Sequence, residues 1–319
     1  WEAALTNTLN KGDRVLSARF GQFSHLWIEM CKKLHIEVDV VDVDWGSGTP
    51  HDEFEKILSQ DKNHEIKAVL VTHNETSTGV TNDVKATRDL LNKLNHPALL
   101  FVDGVSSIGS IKFEMDAWGV DVAVSGSQKG FMLPAGLAIS CVSQKVLEIA
   151  KSANLPRAYF DYHDMLKINE TGYWPYTNPM PLLRGLREAL TMMHEEGLDN
   201  IYARHLFLAQ AVQKASTAWG LGLCAKDPSL YSNTVTAIMV PEGIDSTDIV
   251  KTAYNKYNTS FGGGLNKVAG KLFRIGHLGD LNSTMILGAI STAELAMYDV
   301  GIKFELGSGV AAAIKHLKA

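Results

Sequence analysis

The stretch DVAVSGSQKG, residues 121–130, places a lysine directly after a short apolar run. The valine-rich run indicates a buried strand, and the glycines and hydroxyl residues that follow indicate a turn. Lys129 therefore stands at the end of a buried strand, where desolvation lowers the pKa of an amine toward its neutral, nucleophilic form. Such a lysine suits Schiff-base chemistry. An ordinary surface lysine in a strand-to-helix turn is the alternative, and this motif alone fits both.

The composition is that of a globular chain with an ample core. Its 319 residues are 45% hydrophobic and 20% charged, enough for one large or two ordinary domains. The net charge of −5 gives no electrostatic reason to expect a nucleic-acid partner. No apolar run approaches the roughly 18 residues of a membrane span, and neither the three cysteines nor the eleven histidines show metal-site spacing. We therefore expect no nucleic acid, membrane or metal.

Strand-like and helical segments alternate through the first half of the chain. The strand candidates are EVDVVDVD (37–44), AVLVTH (68–73), ALLFVD (98–103), DVAVSG (121–126) and GLAISCVS (136–143). Helical periodicity covers 51–60 and 82–94. Near-continuous apolar strands that alternate with helices predict an α/β fold with a mainly parallel sheet covered on both faces.

The pattern changes after about residue 182. Two long helices are predicted over 182–197 and 200–220, followed by a strand at 233–241, a helix at 244–257, a strand at 271–279 and a helix at 282–301. This order predicts a smaller C-terminal α+β domain. We therefore place a large domain at 1–196 and a small domain at 197–319.

Three consecutive strand candidates end in polar residues that suit one cofactor. Thr76, Asp103 and Lys129 each follow an apolar run, and ligands of open parallel sheets bind beyond the carboxyl ends of the strands. A carboxylate at a poorly hydrated strand end needs a cationic partner. A pyridinium nitrogen is such a partner, so Asp103 and Lys129 together indicate pyridoxal phosphate. A turn-forming aspartate before Gly104 is the alternative for Asp103.

Four motifs occur in an order that resembles a known family. They are VTHNETSTGV (71–80), LLFVDGVSSIG (99–109), DVAVSGSQKGFMLPAG (121–136) and KLFRIGHLG (271–279). Together they resemble the class V aminotransferases, and most closely the branch that uses serine or alanine with glyoxylate, as in photorespiration. The resemblance implies pyridoxal 5′-phosphate, the fold type I architecture with a mixed seven-stranded sheet, amino-acid and 2-oxo-acid substrates, and a homodimer with active sites at its interface.

The resemblance also implies a role for individual residues. Lys129 would form the Schiff base, and Asp103 would pair with the ring nitrogen. Phe20, in ARFGQ, would stack on the pyridine ring, although an ordinary core aromatic is its alternative. Thr76 would bind the ring hydroxyl oxygen, with simple turn chemistry as the alternative, and Gln128 would contact the phosphate.

Two further roles follow from the resemblance. Arg274, in LFRIG, would bind the substrate carboxylate through two parallel hydrogen bonds. A structural ion pair with an acidic residue is its alternative. Thr177 would reach the phosphate of the neighbouring subunit, but Trp174 stands where the family usually has a tyrosine. The triplet 262–264, GGG, is expected to be a mobile active-site segment or a turn.

The resemblance leaves two questions of context. The family's glycine-rich phosphate loop would lie just before Trp1, so we expect the chain to be a fragment. A plant or algal source implies the peroxisome, and a bacterial source the cytoplasm. Two other functions remain open: a cysteine-desulfurase-like lyase, for which Cys224 in LGLCAKDP is the thiol considered, and a relative without cofactor.

Overall fold

A computed structural model describes residues 1–319. The strands are β1 (Arg14–Arg19), β2 (Glu37–Asp42), β3 (Ile66–Thr72), β4 (Asn74–Glu75), β5 (Val80–Thr81), β6 (Leu99–Asp103), β7 (Val122–Gly126), β8 (Ala138–Val142), β9 (Val235–Met239), β10 (Gly262–Gly263) and β11 (Leu272–Gly276). The α-helices are α1 (Glu2–Thr6), α2 (Gln22–Lys33), α3 (His51–Gln60), α4 (Val84–Lys93), α5 (Gln144–Ala150), α6 (Tyr162–Asn169), α7 (Met180–Glu196), α8 (Leu198–Ala218), α9 (Ser246–Tyr257), α10 (Ser283–Asp299) and α11 (Ser308–Leu317).

The central sheet is mainly parallel, as predicted. Its order is β2-β1-β3-β6-β7-β8, and only β8 runs antiparallel to its neighbour. The sheet contains six strands rather than the seven that the resemblance implied. All five predicted strands of the first half belong to it.

Strand β1 was not predicted, because its sequence RVLSAR has charged ends and an internal serine. The tertiary structure supplies partners for those ends. Arg14 Nη2 lies 2.7 Å from a carboxylate oxygen of Asp39, and Arg19 Nη1 lies 3.1 Å from one of Asp42. The four residues between the two arginines are buried, so β1 is a central strand with polar ends.

Helices cover both faces of the sheet, which explains the uninterrupted apolar strands. Every residue of β6 and β7 is buried. Along β6, Leu99 and Phe101 belong to one core cluster together with Trp27. Leu100 and Val102 belong to the cluster on the opposite face, as the alternation of side chains along a strand requires.

The C-terminal half forms its own small antiparallel sheet, β10-β11-β9, covered by helices. The predicted helices and strands of this half are present, and α11 is an addition. The long helices α7 and α8 meet at Gly197, whose φ of 82° suits glycine. The exact domain boundary at residue 197 stays a prediction. No helix combines the length and the apolarity needed to cross a membrane.

Candidate active site

The expected strand ends lie side by side at one edge of the sheet. Strands β3, β6 and β7 are neighbours, and Asp103 pairs with Thr72 on one side and Val124 on the other. Arg274 reaches the same place from the small sheet, because its Nη1 donates a hydrogen bond of 3.1 Å to the carbonyl oxygen of Thr76. The site therefore lies where the two halves of the chain meet.

Asp103 is a buried carboxyl group at the end of β6. Burial raises its pKa to about 7, and the nearby negative charge of Glu75 acts in the same direction. The backbone N–H of Val105, which donates to Asp103 Oδ1 at 2.9 Å, opposes this rise. The contact with Val105 is the hydrogen bond expected of a turn-forming aspartate, which was the alternative interpretation. Asp103 is therefore both a turn-forming residue and a buried carboxyl group at the strand end. A cation such as a protonated ring nitrogen would stabilise the ionised form.

Lys129 is half-buried after β7. Burial lowers its pKa, and the positive charge of Arg274 lowers it further. No carboxylate opposes these two effects on the amine. Its surroundings therefore favour the neutral amine, which is the nucleophilic form.

Arg274 is held by backbone carbonyls rather than by an acidic side chain. Nε donates to the carbonyl oxygen of Gly263 at 3.0 Å, and Nη1 donates to that of Thr76. A structural ion pair, the alternative considered for this arginine, is absent. Burial lowers its pKa, while Glu75 raises it. The half-buried guanidinium therefore keeps donors for a carboxylate ligand.

The glycine triplet supports this arginine. Gly262 and Gly263 form β10 and pair with Arg274 and Phe273 of β11, so they are a paired strand rather than the mobile segment or turn that we expected. A Cβ on Gly262 would lie 3.1 Å from Arg274 Nε and 3.2 Å from Cζ. The guanidinium thus packs directly over Gly262.

The remaining predicted residues differ in their surroundings. Phe20 is only 1% exposed and packs in the core cluster on one face of the sheet. The hydroxyl of Thr76 donates to Ser106 Oγ at 2.8 Å. Gln128 is exposed and folds back over Gly126. The cofactor contacts predicted for Phe20, Thr76 and Gln128 stay predictions.

Thr177 does not join this cluster within one chain. It is exposed, in the loop between α6 and α7. A role toward the phosphate of a neighbouring subunit stays a prediction.

Sequence reasoning missed three residues next to the site. Val105 orients the Asp103 carboxylate through its N–H. Ser106 accepts from Thr76 and donates to the carbonyl oxygen of Asn74 at 2.9 Å. Glu75 is completely buried. Val105 and Ser106 directly follow Asp103–Gly104, and Glu75 directly precedes Thr76, so closeness to predicted site residues was the available signal.

Comparison with known proteins places the chain in a family. The Aminotransferase class-V family matches residues 2–263. The serine–glyoxylate aminotransferase of Hyphomicrobium methylovorum is 58% identical, over 99% of this chain and 78% of the relative. The L-aspartate–glyoxylate aminotransferase of Paracoccus denitrificans is 55% identical, over 100% of this chain and 80% of the relative. The crystal structure of ureidoglycine–glyoxylate aminotransferase from Bacillus subtilis superposes with a TM-score of 0.91 at 26% identity. The match covers 100% of this chain and 82% of that structure's chain. The chain is a class V aminotransferase.

Pyridoxal 5′-phosphate is the cofactor of these enzymes, and the described residues fit it. Lys129 presents an amine whose pKa is lowered, and Asp103 presents a buried carboxyl that lacks a side-chain cation. Ser125 Oγ, near the end of β7, is buried without a hydrogen-bond partner. These groups match an aldehyde, a ring nitrogen and a polar ring substituent, respectively.

Proposed function

We propose that the protein transfers the amino group of serine or alanine to glyoxylate, which yields glycine and hydroxypyruvate or pyruvate. The observation that carries this proposal is the meeting of Arg274 with the strand ends that carry Asp103 and Lys129: β3, β6 and β7 are adjacent, and Arg274 Nη1 donates to the carbonyl oxygen of Thr76, just beyond β3, at 3.1 Å. The lowered pKa of Lys129, to which the guanidinium contributes, agrees with this arrangement. A guanidinium that binds the substrate carboxylate beside that amine places the substrate's α-carbon next to the group that must act on it. The names of the relatives support glyoxylate as the acceptor.

Three of the predicted site residues each have a different role in the proposed reaction. Pyridoxal phosphate, when bound, supplies the electron sink for the reaction. Arg274 binds and orients the substrate carboxylate through parallel hydrogen bonds. Lys129 Nζ would take the proton from the substrate α-carbon as a general base and give it up again as a general acid. Asp103 would pair with the protonated ring nitrogen of the bound cofactor, and burial of the site would exclude water.

The charges around the site favour a donor with a neutral side chain. Glu75 and Asp103 are both buried here, and the negative charge of Glu75 acts on Asp103 and on Arg274. A second substrate carboxylate, as in aspartate, would be repelled by these groups. Serine and alanine avoid that cost, so we rank them above aspartate.

A donor screen tests this function directly. The purified protein, supplied with pyridoxal phosphate and glyoxylate, is offered serine, alanine, asparagine or aspartate, and glycine formation is measured. We expect serine and alanine to give the highest kcat/KM. Lys129→Ala should abolish both glycine formation and the visible absorbance of the bound cofactor. Absence of glycine with every donor, in protein that binds the cofactor, would refute the proposal.

The lyase alternative lacks its essential thiol. Burial raises the pKa of Cys224 to about 11, so this residue is a protonated core group rather than a mobile nucleophile. Cys141 is exposed on β8, and partial desolvation together with the negative charge of Asp116 raises the pKa of its thiol, so its reactive thiolate form is disfavoured. Neither residue supports a desulfurase, and the presence of the cofactor's absorbance band would exclude a relative without cofactor.

The assembly is proposed to be a homodimer with active sites at its interface. Tyr173, Trp174 and Tyr176, beside Thr177, are 73%, 51% and 49% exposed. Exposed aromatic side chains are enriched in protein interfaces. Analytical ultracentrifugation should give a dimer, and a monomer that is fully active would refute this part. We also propose the peroxisome for a plant or algal source and the cytoplasm for a bacterial one, which a fluorescent fusion would test.

A further inference from the structure

Glu75 is a fully buried carboxylate to which the proposed function gives no part in holding the cofactor or in positioning other residues. It belongs to β4, one residue before Thr76, and its side chain turns toward the start of α2. Glu75 Oε2 accepts from the backbone N–H groups of Phe23 and Ser24 at 3.1 and 3.0 Å. Glu75 Oε1 accepts from the hydroxyl of Ser77 at 2.7 Å. Burial of an acidic side chain without a salt bridge is uncommon, so this arrangement needs an explanation.

Strand β4 pairs antiparallel with β5 in a short hairpin, and the Glu75 contact ties this β4 hairpin to the segment that carries Phe20. Gly21 is the N-cap of α2 and follows Phe20 directly. A Cβ on Gly21 would lie 2.2 Å from Glu75 Cδ, so the carboxylate can approach the helix only because this residue is glycine. A negative charge at a helix N-terminus is favourable, because it meets unpaired N–H groups and the positive end of the helix dipole. Glu75 thereby fixes where Phe20 lies.

The same carboxylate acts on the cationic side of the site. Its charge is felt by Arg274 on β11 and by Asp103 on β6. Lys129, which is close to Arg274, is a further charged group of this region. The first turn of α2 contributes no acidic residue. Glu75 is therefore a buried anion beside the groups that the proposed function uses for substrate and cofactor.

We propose that Glu75 is a positioning residue: its carboxylate holds the Phe20–Gly21 turn against the cofactor site, and its negative charge stabilises the positive charges of the loaded site. The backbone of the same hairpin anchors Arg274 through the Thr76 carbonyl. One short segment thus links the predicted ring-stacking residue, the ring-hydroxyl residue and the substrate anchor. This inference rests on the proposed function for its substrates but not for its cofactor.

The chain offers a matched control in Glu294. It is also buried, at 3% exposure, and its carboxylate caps α11 by accepting from the N–H groups of Gly307 and Gly309 at 2.8 and 2.7 Å. Glu294 lies in the C-terminal half, where its carboxylate also accepts a hydrogen bond from Trp219 Nε1. It touches none of the site residues. Glu294→Gln therefore removes a buried capping charge without disturbing the cofactor site.

The experiment compares Glu75→Gln, Glu75→Asp and Glu294→Gln with the parent protein, all loaded with pyridoxal phosphate. The pH midpoint of the bound cofactor's absorbance change, the cofactor Kd, the KM and kcat for serine, and the melting temperature are measured. We expect both Gln variants to melt a few degrees lower. Only Glu75→Gln should lower the absorbance midpoint, by about 1 pH unit, because the site's positive charge loses a neighbouring anion.

The kinetic expectation separates positioning from simple folding. Glu75→Gln should raise the KM for serine about tenfold with a smaller change in kcat, since Arg274 and Phe20 lose their common support. Glu75→Asp keeps the charge and should keep the absorbance midpoint of the parent, although the shortened cap lowers its melting temperature. If Glu75→Gln matches Glu294→Gln in midpoint, Kd and KM, Glu75 is only a helix cap and the inference is wrong.

Two further results of this experiment also have a defined meaning: a Glu75→Gln variant that does not fold, and a parent protein that forms no glycine. If Glu75→Gln does not fold, Ser77→Ala replaces it, because this change removes the shortest bond to the carboxylate and keeps the charge. A KM rise of about threefold with an unchanged midpoint then supports positioning, and an unchanged KM overturns it. If the parent protein makes no glycine from glyoxylate, the proposed function fails, whereas the cofactor midpoint still decides the role of Glu75.

Discussion

The buried carboxyl of Asp103 should make the cofactor-free protein less stable as the pH rises, and Asp103→Asn should remove that effect. The pKa of Asp103 is about 7 in the folded protein, against an ordinary value of 3.8. Between these values the unfolded chain releases the proton while the folded chain keeps it. The unfolding free energy therefore falls by about 1.4 kcal/mol per pH unit through this window, and by roughly 4 kcal/mol at most. Above pH ~7 both states are ionised, and the loss is constant.

Urea unfolding of the two cofactor-free proteins at pH 5 and pH 8 measures this effect. The stability advantage of Asp103→Asn over the parent should be about 2–3 kcal/mol larger at pH 8 than at pH 5. Other titrating groups are present in both proteins and largely cancel in this difference. Parallel pH dependences of the two proteins would refute the reasoning, because they would mean that Asp103 titrates normally in the folded state.

Bound cofactor should reverse the order of stability of the parent protein and Asp103→Asn. A protonated ring nitrogen supplies the cation that the buried carboxylate lacks, so pyridoxal phosphate should stabilise the parent protein more than Asp103→Asn. The variant would then be the more stable protein without cofactor and the weaker enzyme with it. Equal stabilisation of both proteins by the cofactor would contradict the pairing of Asp103 with the ring nitrogen.

Three further substitutions test two parts of the site and one buried helix cap outside it. Arg274→Lys should raise the KM for both serine and glyoxylate about 10- to 100-fold, because an ammonium cannot form two parallel bonds to a carboxylate; an unchanged KM would remove Arg274 from the substrate site. Gly262→Ala should raise the same KM several-fold in steady-state assays, since its Cβ would meet the Arg274 guanidinium at 3.1 Å, whereas Gly263→Ala, with open space around its Cβ, should have little effect. Glu294→Ala should lower the unfolding free energy by about 2–4 kcal/mol, as it leaves the buried N–H groups at the start of α11 without an acceptor; urea unfolding that matches the parent would show that this cap is unimportant.

The strands that carry the site could be predicted because of where they lie in the sheet. Strands β6 and β7 are buried on both faces, so their sequences are continuous apolar runs that end abruptly in polar residues. The ends of neighbouring parallel strands meet at one edge of a sheet, so the sequence pattern alone predicts that Asp103 and Lys129 lie close together. Strand β1 lacks this signature, because Arg14 and Arg19 are satisfied by acidic residues of β2 that the local pattern does not reveal.

Arg274 shows what a local pattern leaves open. An arginine between Phe273 and Ile275 in an apolar strand requires polar partners, and a structural ion pair with an acidic side chain was the less favoured alternative to a carboxylate ligand. The structure supplies backbone carbonyls of Gly263 and Thr76 instead. One of these is adjacent in the small sheet, and the other is about two hundred positions away in the chain. No spacing rule predicts such a contact.

The sequence by itself determined the α/β class, because apolar strand candidates alternate with helices. Its four motifs determined the family and with it the cofactor, whereas the roles of Lys129 and Asp103 stay predictions. Only the tertiary structure decided that Gly262 supports Arg274 in a paired strand, and that the buried Glu75 caps α2 beside the site. Those features depend on distances between segments that are remote in the chain. Such distances arise when strands pair and helices pack, and the order of residues along one segment carries no record of them.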